Sequence, residues 1–107
     1  MTEILKKAAI TAPQPRQEIV DVAELGGAVI VRALPLSQRL ELGRISSERP
    51  DSYIAELLAR CVLDGDGEPI FDAGEWDHFS GANQDAAFAL HRAAQRVAGL
   101  GDEPGKE

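Results

Sequence analysis

Five acidic side chains follow one another closely enough to suggest a calcium-binding loop. Counted from the first, they fill positions 1, 3, 5, 9 and 12 of an EF-hand-like pattern. They are Asp64, Asp66, Glu68, Asp72 and Glu75. Position 6, where such a loop needs glycine for its sharp bend, is instead Pro69. The sequence therefore favours an acidic turn after a helix, with a weak calcium-binding turn as the alternative.

The other reactive side chains lack the spacing of a catalytic or metal site. His78 and His91 fall in different predicted helices and have no accompanying metal-ligand motif. The single Cys61 lies in an apolar run, which indicates a small buried residue rather than a nucleophile. No serine has a nucleophile-elbow context, and no glycine pair precedes a Lys-Ser/Thr helix start. We therefore expect no enzymatic activity, no bound metal and no cofactor.

Length and charge restrict the class of partner. The chain has 107 residues, enough for one domain with a modest core. Its net charge of −7 repels nucleic-acid phosphates and favours a basic protein partner. No apolar stretch approaches the roughly 18 residues that a membrane span requires. We expect a cytoplasmic protein that binds neither nucleic acid nor membrane.

The first third of the chain predicts a tail and a β-ribbon. Residues 1–16 contain two prolines and few bulky apolar residues, which predicts a flexible N-terminal tail. Residues 17–22 and 28–34 alternate between apolar and polar side chains, as strands do. Gly26 and Gly27 lie between them and can adopt positive φ at a hairpin turn. A two-stranded ribbon is marginal alone, so it must pack on helices or pair with another chain.

The remainder of the chain predicts helices. Ser37 is a candidate N-cap for a helix to about residue 47, and Asp51 or Ser52 for the next. The second helix carries the strongest apolar stripe, which consists of Tyr53, Ile54, Leu57, Leu58, Cys61 and Val62. Asp72 can cap a short helix that residues 80–81 interrupt. The last helix spans about residues 83–98 and is ended by glycines at 99 and 101.

These elements predict an α+β fold: a mainly helical domain, residues 17–101, with an N-terminal two-stranded β-ribbon and a flexible tail at 102–107. Aromatic residues are few, so Trp76, Phe79 and Phe88 matter for either packing or binding. Plain core packing is one interpretation. The alternative is a partner-binding surface made by these three residues and Leu90, because aromatic side chains are favoured interface anchors.

The order of segments resembles a known family, the small tail assembly chaperones of long-tailed bacteriophages and prophages. Residues 24–34 match an E-L-G-G-x-V-x-V-R-x-L-like strand segment, and residues 59–64 match an A-R-x-V/L-x-D-like helix end. Residues 66–71 match a D-G-x-P-hydrophobe-F-like turn, and a leucine-glycine pair stands at 100–101. The resemblance covers roughly residues 20–100.

The resemblance implies a function that residue spacing does not. It implies binding to the long helical tape-measure protein in the host bacterial cytoplasm, so that this protein stays soluble during tail morphogenesis. It also implies self-association and, in many members, a longer product made by ribosomal frameshifting. The alternatives are a small acidic adaptor module or a structural protein of the virion tail.

Overall fold

The computed structural model describes residues 4–9 and 15–98, which form three strands, four α-helices and short 3₁₀ turns. The strands are β1 (Gln17–Val22), β2 (Gly27–Arg32) and β3 (Val62–Leu63). The helices are α1 (Leu36–Glu48), α2 (Tyr53–Cys61), α3 (Ala73–Ala82) and α4 (Gln84–Ala98). The predicted tail at 102–107 and the helix-ending glycines at 99 and 101 lie outside the described residues. The predicted α+β, mainly helical fold is confirmed.

The sheet contains one strand more than the sequence predicts. Its order is β1-β2-β3, and both pairs are antiparallel. The predicted ribbon is present, with Val20 opposite Val29, but Val62 and Leu63 add a third strand to β2. The apolar spacing predicts a helical Val62, whereas its backbone is extended, with φ −96° and ψ 118°. Pairing with β2 therefore outweighs the helical periodicity at this point.

The hairpin turn depends on Gly26. A single 3₁₀ turn, Ala23–Leu25, joins β1 to β2, and Gly26 ends it with φ +88°. A side chain at this φ would be strained, because L-residues other than glycine rarely adopt it. Val22, Val29 and Val31 then point into the core, while the alternate residues of both strands are more exposed. The predicted alternation of faces is confirmed.

The helix ends match the predicted caps only in part. The α3 cap is confirmed: Asp72 Oδ1 accepts from the Glu75 N–H at 2.8 Å, and Glu75 Oε1 accepts from the Asp72 N–H at 2.9 Å. Ser37 is not the cap of α1, which begins one residue earlier after Pro35 without a side-chain cap. Residues 51–52 make no cap bond either, because a 3₁₀ turn over Pro50–Ser52 leads directly into α2.

The predicted break at residues 80–81 is also wrong, since α3 continues to Ala82. Ser80 Oγ donates to the Asp77 carbonyl at 2.9 Å, so its hydroxyl is satisfied within the helix. The Asn83 N–H donates to the Phe79 carbonyl at 2.8 Å and ends the helix there.

The core lies where the sheet, α2, α3 and α4 meet. Leu58 on α2 and Leu90 on α4 are fully buried, as is Trp76 on α3. The predicted stripe of α2 is confirmed as far as Cys61, with Val62 in β3 instead, and the small residues of α4 are buried against it. A bidentate ion pair of Arg96 with Glu18 joins α4 to β1, with Nε 3.1 Å from Oε1. The first strand and last helix are therefore held together.

Candidate functional site

The acidic turn is organised by its own backbone rather than as a ligand cage. Asp64 Oδ1 accepts from the N–H groups of Asp66 at 2.8 Å and Glu68 at 3.0 Å. Asp72 and Glu75, the other two acidic positions of the pattern, form the capping box of α3. Within residues 4–9 and 15–98, no three His, Cys, Asp or Glu side chains come together as a metal site. The carboxylates of this segment therefore shape a turn and a helix start.

His91 and Cys61 are placed as packing residues, whereas His78 is exposed on α3. The His91 ring meets Tyr53 edge-on, with ring centroids 6.3 Å apart. Partial burial, reinforced by the charge of Arg92, lowers the pKa of His91 below its usual range. Burial raises the pKa of Cys61 to about 12, against the opposing effect of Arg60. At neutral pH Cys61 is therefore a thiol, not a nucleophilic thiolate.

Three of the four predicted partner-contact residues lie in the core. Trp76 and Leu90 are fully buried, and Phe79 is 9% exposed. Trp76 and Phe79 meet edge to face, with ring centroids 5.3 Å apart. These three side chains therefore present little or no surface to solvent in this structure. Phe88 differs, because 49% of it is exposed on the outer side of α4.

Phe88 borders a shallow groove between the start of α2, α3 and α4. The groove has a volume of about 540 Å³. Ile54 and Ala55 line it on the α2 side, and the carboxylates Asp51 and Asp77 lie among its lining residues. Apolar side chains and two acidic groups thus share one surface. This chemistry suits an apolar segment that carries a basic residue.

A second groove was missed by sequence reasoning, and α1 is the reason for it. Only Leu42 and Ile45 of α1 are buried in the core. Leu36 and Leu40, one turn apart, are 69% and 67% exposed. The sequence does place Leu36, Leu40 and Gly43 on one side of the helix, but that side faces away from the core. The signal for this groove in the sequence is that α1 carries two separate apolar stripes, one with Leu42 and Ile45 and one with Leu36 and Leu40.

The exposed stripe of α1 forms one wall of a groove of about 490 Å³. We call this the α1 groove. Its remaining walls come from the end of β2 and from α2 and α4. The residues that line it are Ala33, Leu34, Leu36, Arg39, Leu40, Leu42, Gly43, Ser46, Tyr53, Leu57, Cys61, Ala94, Gln95 and Ala98. Most are aliphatic or small, so the groove can hold an apolar helix or strand but offers no set of catalytic groups.

Comparisons with known proteins give one structural match. The solved structure of the bacteriophage HK97 tail assembly chaperone superimposes with a TM-score of 0.55 and 19% sequence identity. The match covers 87% of this chain and 88% of the other. This chain has a tail assembly chaperone fold. No family model and no curated protein matches the sequence.

The tail assembly chaperone fold confirms the resemblance that the order of segments predicts. Residues 24–34 form the hairpin turn and β2, and residues 59–64 form the end of α2 with β3. Residues 66–71 lie between β3 and α3, where Leu63 makes an isolated bridge with Pro69. None of the helices in the described part of the chain is long and apolar enough to cross a membrane.

Proposed function

We propose that this protein is a phage or prophage tail assembly chaperone that binds the tape-measure protein and keeps it soluble in the host bacterial cytoplasm. The observation that carries the proposal is the shared fold, which extends over nearly all of both chains. The open α1 groove supports it, because an apolar surface of this kind on a small protein marks an interaction site.

The α1 groove suits the task of covering the apolar faces of a long helical protein. A tape-measure protein is a long helical chain whose apolar faces would associate before the tail tube surrounds them. A helix docks into an apolar groove through side chains spaced one turn apart, and Leu36 and Leu40 have that same spacing. The net charge of −7 keeps the resulting complex soluble. No nucleotide is required if tube subunits displace the chaperone.

Phe88 provides a second proposed contact. Its exposed ring lies beside Ile54 and near the two carboxylates Asp51 and Asp77, so it can hold an apolar residue next to a basic one. This surface is supported by the core residues Trp76, Phe79 and Leu90, which pack beneath it and hold α3 and α4 in position.

The test is co-expression with the tape-measure protein encoded beside this gene, followed by a solubility assay and a pull-down. We expect the tape-measure protein to be soluble and to co-purify only when this chain is present. Leu40→Glu should reduce co-purification at least about tenfold, because it places a charge in the apolar groove. Ser37→Glu is the matched control: it adds the same charge to an exposed position of α1 outside the groove.

Phe88→Glu tests the second surface in the same assay. A tape-measure protein that is equally soluble without this chain, and does not co-purify, would contradict the proposal and favour an adaptor or a virion structural role. Co-purification that survives Leu40→Glu but not Phe88→Glu would move the contact to the Phe88 groove.

Self-association through the sheet is a separate part of the proposal. β1 lies at the edge of the sheet and pairs only with β2, and Ile19 on it is 70% exposed. An exposed strand edge with an apolar residue can pair with a second copy. Light scattering on the purified protein should give a mass above 11.5 kDa, and Ile19→Lys should lower it. A monomer at all concentrations would rule this interface out.

A further inference from the structure

The polypeptide enters the domain beside the α1 groove. The Ala33 N–H donates to the Arg16 carbonyl at 2.8 Å, which extends the antiparallel pairing of β1 and β2 by one step. In an antiparallel pair, Pro15, the described residue before Arg16, lies in the direction in which β2 continues. That direction leads through Leu34 to Leu36, and both residues line the groove. The backbone at Pro15 and Arg16, to which the preceding segment is joined, therefore lies at one end of the groove.

This preceding segment carries unpaired apolar side chains. Residues 4–9, here named the leader, have the sequence I-L-K-K-A-A and end in a 3₁₀ turn, Lys7–Ala9. Ile4 is 91% exposed and Leu5 is 68% exposed. The same molecule thus has two uncovered apolar surfaces, the leader and the α1 groove.

The length of the connecting segment and the opposite net charges of leader and domain favour contact between the leader and the α1 groove. Ala9 is seven residues before Arg16, so the chain allows a separation of at most about 25 Å. Residues 1–16 contain Lys6, Lys7 and Arg16 against Glu3, a net charge of +2. Since the whole chain carries −7, residues 17–107 carry −9. Opposite net charges attract the leader to the domain as a whole, while the groove, whose charged lining residue is Arg39, offers Ile4 and Leu5 an apolar surface on which to bury.

We propose that the leader docks through Ile4 and Leu5 into the α1 groove of its own chain and acts as an internal cover for it. The chain's own leader is favoured over that of a second copy because a short tether gives an effective concentration of about millimolar. A second copy at micromolar concentration is at a disadvantage of about a thousandfold. If the groove also binds the partner, which rests on the proposed function, the leader and the partner compete for it.

The experiment is disulfide trapping in the full chain, without any partner protein. Leu5→Cys is combined with Leu40→Cys, and the matched control combines Leu5→Cys with Phe88→Cys, an exposed position at the other groove. Cys61→Ala is included in every variant, because Cys61 lines the α1 groove and could itself trap the introduced thiol. Under mild oxidation we expect the intrachain disulfide with position 40 to form at least about tenfold faster than with position 88.

Each possible result of the trapping experiment either supports the proposal or contradicts it. Equal rates at positions 40 and 88 would show random collision and overturn it. A disulfide-linked dimer would overturn the own-chain assignment and assign the groove to the leader of a second copy. An independent measurement uses a dye that fluoresces on apolar surfaces: Ile4→Ser with Leu5→Ser should raise its binding several-fold, whereas Lys6→Ser with Lys7→Ser should not. No rise in the first variant would also overturn the proposal.

Discussion

Leu58 and Leu40 form a matched pair that separates the core of this protein from its proposed binding surface. Leu58 on α2 is fully buried, whereas Leu40 on α1 is 67% exposed and lines the α1 groove. Substitution by alanine removes the same atoms at both positions. At Leu58 it leaves a cavity in the packed core, which costs about 2–5 kcal/mol. At Leu40 it removes little buried area and adds the best helix former, so the change should stay within about 0.5 kcal/mol.

Urea unfolding, followed by the helical circular dichroism signal, measures the difference. For a domain of this size the slope is about 1–3 kcal/mol per molar urea. With a loss of about 3 kcal/mol and a slope near 1.5, Leu58→Ala should lower the unfolding midpoint by about 2 M. Leu40→Ala should shift it by no more than about 0.3 M, with an unchanged slope.

Two results would contradict this account. If both variants had the wild-type midpoint, Leu58 would not be a core residue and the packing of α2 would be wrong. If Leu40→Ala were as destabilising as Leu58→Ala, α1 would be packed along its Leu36–Leu40 side, and no open groove would exist. The expected result leaves Leu40 free to be tested for binding without a loss of folding.

The remaining predictions concern the turn, a cap and one histidine. Millimolar calcium should not change the melting temperature, while Asp64→Ala should lower it equally with and without calcium because two backbone bonds are lost; a calcium-dependent rise that Asp64→Ala abolishes would establish a site. Asp72→Ala should cost about 1 kcal/mol through the loss of the α3 capping box, measured by urea unfolding, and an unchanged midpoint would show that the cap is dispensable. Because the folded-state pKa of His91 is lowered below 6.5, the unfolded chain binds more protons, so stability should fall as pH drops below about 6.5. His91→Gln should remove this decrease in stability with falling pH. A His91 pKa above 6.5 in the folded protein, measured by NMR titration, would contradict the prediction, because stability would then rise as the pH falls.

Local chemistry made much of the fold predictable. The Asp72 cap depends on residues three positions apart, and the turn at Gly26 depends on one glycine conformation, so both can be read from short segments. The α2 stripe is equally local, because its spacing keeps one side of the helix apolar. The third strand is different: Val62 and Leu63 continue the apolar run of α2, and only the presence of β2 makes them extended.

The proposed binding surface is less predictable from the sequence than the fold. Residue type marks Trp76, Phe79 and Phe88 as equal candidates, but their exposure depends on how α3 and α4 pack. The sequence places Leu36 and Leu40 on one side of α1, yet it does not show whether that side or the side with Leu42 and Ile45 faces the core. Which stripe is buried is decided by how α1 packs against α2, and that packing is not encoded within the sequence of α1 itself.

The ion pair between Glu18 and Arg96 indicates how this chain could be circularly permuted. It brings together two residues 78 positions apart, so the beginning of the first strand and the end of the last helix are spatial neighbours. A short linker from Ala98 back to Pro15 would close the backbone, and new ends could be opened in the exposed turn at Gly65 and Asp66. Such a circular permutant would keep every helix and strand intact. An affinity label attached to the new chain ends would lie at the acidic turn, whose residues Gly65 and Asp66 do not line the α1 groove.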